Sequence, residues 1–437
     1  MPENFDTIMS RLGTGKWNYM YFFSLGYWYF FTPPLVLAPS FMAPKVPFSC
    51  RTPTEDPMQQ DFMSNSSPSE CTYLETSVDG YQQEQMCKEW DFDNSTFTNT
   101  IFSQYALVCD RQYLHAVYTS IFMIGSLLGA PLNALSDKYG RKSVLAIATC
   151  MYTFFSIVTP FLPNITAVII VRFILGILYM IPGNTGYNLV VEVCDPAQRS
   201  IVGVTIWLSW VLGVVGWGIL GYAVRDWRTQ HTIAAAPLFF FLTMLWFMDE
   251  SPRWLAVVGR HKECKRVLRK AARWNNVQLP HEKDIDIILD NTVRDKSDPV
   301  YKSISSLYQS QSVAYRTGWR AVWDGFMDGV NTFLSLFSTA KLRLRTSITW
   351  LNFFLVGMVF WGLSMSGVSF SSDPFLYMVL KATYIYVRAI GAILDLVLTK
   401  LLHNAQSLAA FILVHTCFSG DAAYVPGEAN WSVIWLV

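Results

Sequence analysis

The length of the apolar blocks constrains this chain more than any other feature. A bilayer core about 30 Å thick needs roughly 20 helical residues to cross. Blocks of that order recur at residues 19–41, 114–135, 144–162, 165–193, 201–223, 346–368 and 375–398. Residues 232–247 form a shorter block, expected to borrow Met248 and its flanks. Residues 408–418 are a ninth, shorter candidate, and residues 431–437 read as a tenth beginning as the chain stops. Only 15% of residues are charged, where a soluble protein carries about 25%. The sequence predicts an all-α polytopic membrane protein whose solvent is the lipid bilayer.

The charges are sorted by region. Residues 42–112 are acidic, with Glu55, Asp56, Asp61, Glu70, Glu75, Asp79, Glu84, Glu89, Asp91, Asp93 and Asp110. The segment after Phe247 is basic, with Arg253, Arg260, Lys262, Lys265, Arg266, Arg269, Lys270 and Arg273. Lys138, Arg141 and Lys142 follow the second block. Lys and Arg favour the cytoplasmic side. Both basic connections and the N-terminus, with Arg11 and Lys16, are therefore expected inside, and the acidic loop outside. Four of the eight cysteines, Cys50, Cys71, Cys87 and Cys109, fall in that loop. An even number in an oxidising compartment reads as two disulfides, with three pairings open. Asn65-Ser66-Ser67 and Asn94-Ser95-Thr96 are glycosylation sequons in the same loop. Disulfides and glycans suit the secretory route, so a plasma-membrane location is expected. The first block is too long for a cleavable signal peptide, and Glu3 and Asp6 precede it.

Three regions are expected. Residues 1–247 hold a complete six-helix bundle that includes the 42–112 loop. Residues 248–345 form a cytoplasmic linker, with helical periodicity over 251–275 and an amphipathic stretch around Phe333, Leu334, Leu336 and Phe337. Residues 346–437 form a partial second bundle. Crossings on both sides of a long linker outline a transporter with two pseudo-symmetric halves, a class that binds substrate near the midplane between them.

The sharpest local feature is Asp137-Lys138-Tyr139-Gly140-Arg141-Lys142. An Asp at a helix end, a glycine turn and cations at a membrane surface suit a gate latch that pairs in one state and releases in another. The same residues equally suit membrane anchoring plus a turn.

Asp-Lys-x-Gly-Arg-Lys after a second crossing resembles the signature of the major facilitator superfamily. The chain more narrowly resembles the organic cation, anion and carnitine carriers of solute carrier family 22. Further matches are Val108-Cys109-Asp110, Arg172-Phe173, Tyr187 with Glu192 and Arg199, Asp226-Trp227-Arg228, and Glu250-Ser251-Pro252-Arg253-Trp254-Leu255. Leu342-Arg343-Leu344-Arg345-Thr346 and Trp361-Gly362-Leu363-Ser364 frame the seventh block. The resemblance covers roughly residues 1–380 and implies alternating access to a small organic ion. It implies a cytoplasmic gate of Asp137, Gly140, Arg141, Lys142, Glu192, Arg199, Glu250 and Arg253.

Candidates for a substrate cavity are Arg172, Tyr187, Trp207, Phe360, Trp361, Lys381 and Arg388. Arg172 is a charge inside an apolar block, where it faces either a cavity or a structural partner. An aromatic face attracts an organic cation by about 0.5–2 kcal/mol, but ordinary packing explains any single aromatic as well; Trp210 shares that ambiguity. Lys381, Arg388 and Asp395 recur every seven residues and share a helical face. They read either as a charged stripe able to hold an anion or as divergent sequence with no transport role.

The family fold implied by the resemblance has about twelve crossings in two six-helix halves, so the second half of this chain is expected to be incomplete. Thr399-Lys400-Leu401-Leu402-His403-Asn404 stands where a second latch is expected, and the acidic-x-Pro-Ala element is missing from the eighth block. A truncated, non-transporting relative that binds a partner is therefore the competing reading. An enzyme is not expected. Gly13-Thr14-Gly15-Lys16 lacks phosphate-loop spacing, His281-Glu282 has no second histidine at zinc spacing, and Cys150, Cys194, Cys264 and Cys417 form no cluster. No cofactor, metal or nucleic acid is expected. Substrate identity, coupling ion and oligomeric state are not legible.

Overall fold

A computed structural model describes residues 5–51, 71–76, 82–294, 327, 334, 337–365, 373–380 and 382–383. The expectations for Asn65, Lys381, Arg388, Asp395, the side chains of Phe360 and Trp361, and the blocks beyond residue 383 lie outside the described residues. Twelve helices carry labels: α1 Phe5–Leu12, α2 Lys16–Phe31, α3 Tyr113–Gly129, α4 Ala134–Tyr139, α5 Arg141–Val158, α6 Ile165–Val193, α7 Arg199–Ala223, α8 Trp227–Phe247, α9 Pro252–Val257, α10 His261–Asn275, α11 Glu282–Arg294 and α12 Ala340–Met365. Among the described residues, five stretches are helical, long and apolar enough to cross a membrane: Cys109–Tyr139, Arg141–Phe161, Ile165–Val193, Ile201–Ala223 and Trp227–Phe247.

Two blocks differ from their sequence outline for identifiable reasons. The first does not run as one helix to residue 41. It stops at Thr32, and Pro33 opens a new turn, Pro33–Val36, followed by a 3-10 turn over Ala38–Ser40. Proline has no N–H to continue the ladder but fits the first turn of a new helix. The sixth block extends backwards instead of borrowing Met248. The Asp226 side chain accepts from Thr229 N at 2.9 Å and starts α8 at Trp227, whereas Met248 is already extended at ψ 145°. A side-chain cap of this kind contributes about 1 kcal/mol.

In the bundle α6 packs against α3, α5 and α2, while α8 packs on α5 and α2, and α7 on α2. Small residues permit the closest approach. A Cβ added to Gly125 or Gly129 of α3 would collide with the Phe173 or Ile177 carbonyl oxygen of α6, and one on Gly176 with the Phe122 carbonyl. Glycines four apart let membrane helices bring their backbones together, where packing replaces the hydrophobic drive that lipid removes.

Among its described residues the acidic loop holds one short helix, Ile101–Gln104, and a 3-10 turn, Cys109–Arg111. It contributes two antiparallel pairs, β1 (Phe48–Cys50) with β4 (Trp90–Phe92) and β2 (Thr72–Thr76) with β3 (Gln82–Met86). The open disulfide pairing resolves as Cys50–Cys87 and Cys71–Cys109, with Cα separations of 5.8 and 5.7 Å. Loops of 37 and 38 residues are closed, each worth about 3–4 kcal/mol in chain entropy. Backbone bonds sew the loop's last part to the bundle: Ile101 N to Met42 O at 2.8 Å, Thr98 N to Arg225 O at 3.1 Å and Trp227 N to Asn99 O at 3.1 Å.

At the opposite, basic end, the expected helix over 251–275 is two helices. It breaks at Gly259, which has φ +80° between α9 and α10. Cys264, Val267, Leu268, Ala271 and Ala272 form the buried stripe of α10. Two of its cations pair with acids of α11: Lys265 Nζ lies 2.6 Å from Asp286 Oδ1, and Arg269 pairs with Glu282. The apolar side of α1, with Phe5, Ile8, Met9 and Leu12 buried, packs on α10 and α11. Asn275 binds this layer to the bundle by accepting from Trp17 N at 3.0 Å and donating to Asn18 Oδ1 at 2.9 Å.

Candidate functional site

The glycine turn between α4 and α5 leads directly into the polar cluster at the basic end. Gly140 has φ +103°, and a Cβ there would also meet Glu250 Oε2. Gly140 therefore serves both as a left-handed turn and as room for a carboxylate. Having no side chain, it cannot cap α5, and Glu250 does so from a distant part of the chain. Glu250 Oε1 accepts from Lys142 N at 3.0 Å and from Ser251 N at 3.1 Å. A negative charge belongs at such a helix start, where N–H groups point outward. Burial nevertheless raises the Glu250 carboxyl above its ordinary range, against the opposing pull of these N–H groups and of Arg141.

Arg141 is the hub of the cluster. Its Nη2 lies 3.0 Å from Glu192 Oε1 at the end of α6, its Nη1 donates to Ser136 Oγ at 2.8 Å, and it pairs with Asp137 one turn earlier. Trp254 Nε1 donates to the Asp137 carbonyl at 2.7 Å, closing the ring of contacts from α9. Six of the eight residues expected at a gate, namely Asp137, Gly140, Arg141, Lys142, Glu192 and Glu250, therefore meet in one cluster.

Arg199 and Arg253 do not join it. They converge on Asp6 of α1, with Arg199 Nη2 2.8 Å from Asp6 Oδ1 and Arg253 Nη2 3.2 Å from Asp6 Oδ2. The resemblance puts Glu192 and Arg199 in one gate network. The chain turns at Cys194 and Asp195 between α6 and α7, which sends the two residues to different partners. In the sequence Asp6 is only a charge ahead of the first block, because nothing local announces a partner some 190 positions away.

Arg172 lies inside the bundle rather than on a face open to a ligand. It is 3% exposed, donates from Nε to Tyr118 O at 3.1 Å and from Nη1 to Leu35 O at 3.3 Å, and stacks 4.4 Å from the Tyr118 ring and 5.1 Å from that of Phe122. A buried guanidinium needs such donors satisfied, and two carbonyls and two ring faces supply that here. Its position supports the structural reading of this charge.

The aromatic candidates on α6 and α7 sit together. Trp207 is 49% exposed with its ring 5.0 Å from that of Tyr29, whose hydroxyl donates to Gly183 O at 3.1 Å. Tyr187 is half-buried, and its hydroxyl lies where a Cβ on Gly203 would reach. Asn184 and Asn188, one turn apart on the same helix, are both exposed. Two amides on the exposed side of this membrane-length helix were missed in the sequence. Their spacing of four, flanking Tyr187, is the signal that could have marked them. The Gly125/Gly129 pair was also legible as a small-xxx-small motif.

A bundle of membrane-length helices with an acidic loop at one end and a basic face at the other defines a multi-pass helical membrane protein. Residues 63–385 match the family described as "sugar (and other) transporter", and the chain belongs to that family. Among its relatives is an organic cation transporter-like protein of Drosophila melanogaster, 25% identical over 366 residues, which cover 79% of this chain and 61% of the relative. Solute carrier family 22 member 6 of Pseudopleuronectes americanus is 28% identical, with coverage of 70% and 49%. Human organic cation/carnitine transporter 2 is 26% identical, with coverage of 69% and 49%. These relatives bear out the resemblance to solute carrier family 22. The chain spans about half to three fifths of the length of the curated relatives it matches. A solved structure of the major facilitator superfamily proton:xylose symporter XylE is 14% identical, covering 86% of this chain and 69% of its own, with a TM-score of 0.49.

Proposed function

We propose that the chain carries small organic ions (cations, anions or carnitine-like zwitterions) across a membrane by alternating access. The observation that carries the reading is the open face of α6 and α7. There the half-buried Tyr187 and the exposed Trp207, the latter backed by the buried Tyr29 of α2, share helices long enough to span a bilayer with the exposed amides of Asn184 and Asn188. Such a face offers π-electron density and neutral hydrogen-bonding groups to an organic ion while removing it from water. No bond is made or broken. The relatives, all named as transporters or solute carriers, favour this reading over a non-transporting partner protein.

In this reading the disulfide-bearing loop faces outward and the basic end faces the cytoplasm, with the plasma membrane as the site of action. The Asp137–Arg141–Glu192 cluster and the Glu250 cap form the cytoplasmic gate of the 1–247 unit. Residues 248–345 link it to the unit that begins at 346. Asn65 and Asn94 are the glycan acceptors; Asn94 is exposed just after β4, where Asp93 holds Ser95 in a turn. Uptake of labelled organic cations, organic anions and carnitine into cells displaying the chain tests the reading. Saturable uptake that Asp137→Asn and Arg141→Ala abolish is expected. Normal surface display with no uptake of any class would overturn it.

A further inference from the structure

At the disulfide end, one ring stands between elements that belong to different parts of the chain. Phe375, in the helical residues 374–380, is 6% exposed. Its ring centroid lies 5.0 Å from Phe41, 5.4 Å from Phe97 and 6.0 Å from Tyr222. Phe41 continues to Trp217 of α7 at 5.2 Å. The α7 backbone comes close enough that a Cβ on Gly221 would stand 2.7 Å from Phe41 and 3.2 Å from Phe375. One helical turn before it, a Cβ on Gly218 would meet Val379 at 2.7 Å. Phe41, Tyr222 and Trp217 belong to the membrane helices and their ends, but Phe97 does not. It comes from the acidic loop and is 3% exposed there.

The anchoring of Phe97 is specific. The residues after it are bonded to the start of α8 and to Met42, through Thr98 N, Asn99 O and Ile101 N. Cys87 and Cys109, both in disulfides, bracket the segment that carries it. Phe97 is therefore tied to the first group of helices, whereas Phe375 is carried by the helical residues after α12. A contact between aromatic rings has no directional bond to break, so it separates and re-forms at low cost when two bodies rock apart.

We propose that Phe97 is a gate residue at the disulfide end, a plug supplied by the loop that closes on Phe375 and shuts off Met378, one turn further on, from the outside. The proposal rests on the alternating-access reading for its purpose, and assigns to the loop a part in gating beyond covering the bundle. The test reads closure without any transported solute, so failure of uptake and failure of the gate are separable. Met378 is 2% exposed and lies one turn beyond Phe375. In cells displaying the full chain with Met378→Cys, a membrane-impermeant maleimide is added outside, with the parent chain as background and labelling normalised to surface protein.

Slow labelling is expected, and Phe97→Ala is expected to accelerate it about tenfold, the size that loss of one aromatic contact produces in a two-state equilibrium. Phe97→Leu is expected to restore slow labelling. Phe375→Ala probes the same contact from the other side, and remains informative if Phe97→Ala fails to reach the surface. The double variant is expected to label no faster than the faster single variant. A rate unchanged by either alanine would overturn the proposal, as would accelerations that multiply in the double variant.

Discussion

Arg141 Nη2 lies 3.0 Å from Glu192 Oε1, joining the start of α5 to the end of α6 with the two side chains only 12% and 18% exposed. The pair connects two helices that run the length of the bundle, and its arginine also holds Asp137 and Ser136 of α4. One guanidinium therefore decides how three helix ends sit at the basic face.

Removal of one partner leaves the other half-buried and unpaired, which costs about 1–3 kcal/mol. Arg141→Ala is expected to lower the melting temperature of the detergent-solubilised protein. The double variant Arg141→Ala/Glu192→Gln is expected to recover part of the loss, because the stranded carboxylate is gone. Strict additivity of the two single variants would show that the pair is not coupled.

Gly140→Ala meets two obstacles, a positive φ of +103° and the Glu250 carboxylate. Backbone strain of this kind costs of order 1–3 kcal/mol. Relief of the clash by Glu250→Ala is expected to leave the φ penalty in place, so the pair should remain less stable than Glu250→Ala alone. Thermal melts of the three variants give the comparison.

The α3–α6 contact is predicted to be intolerant of size. Gly125→Ile or Gly129→Ile drives a side chain into the backbone of α6, and such overpacking costs about 1–3 kcal/mol or more. Leu127→Ala on the same helix, at 73% exposure, is the control with little effect. Size-exclusion profiles showing Gly129→Ile as monodisperse as the control would contradict the packing described here.

Asp6 gives a pH prediction. Burial alone would raise its carboxyl, but the hydrogen bond from Arg199 and the charges of Arg253 and Arg199 outweigh burial and hold it below the ordinary value of 3.8. A depressed value in the folded state means that the contribution is complete above 3.8 and is lost only as pH falls through the lower folded value. The stability gap between the parent chain and Asp6→Asn is therefore expected to be constant from about pH 7 to 5 and to shrink below about pH 4. With the carboxylate 40% exposed, solvent screening keeps that gap under about 1 kcal/mol. A gap that already closes near pH 6 would mean another group governs the clamp.

Much of the architecture was legible in one dimension because it depends on quantities that are local in sequence. The length and hydropathy of the blocks at 114–135, 144–162, 165–193, 201–223 and 232–247 account for the five membrane-length helices. Gly140 and the residues around it announced a turn with charges at a helix end. Loop composition announced two disulfides among Cys50, Cys71, Cys87 and Cys109, though not which pairs form.

What only the tertiary structure decided are relations between distant positions. Glu250 caps a helix that begins more than a hundred residues earlier, Asp6 gathers Arg199 and Arg253, and Phe97 meets Phe375. The orientation of Arg172 also belongs here. A charge in an apolar block reads the same whether it faces a cavity or two backbone carbonyls, and only packing distinguishes them. Periodicity along a helix reports that a residue has a face, while the neighbour on that face is set by how the helices cross.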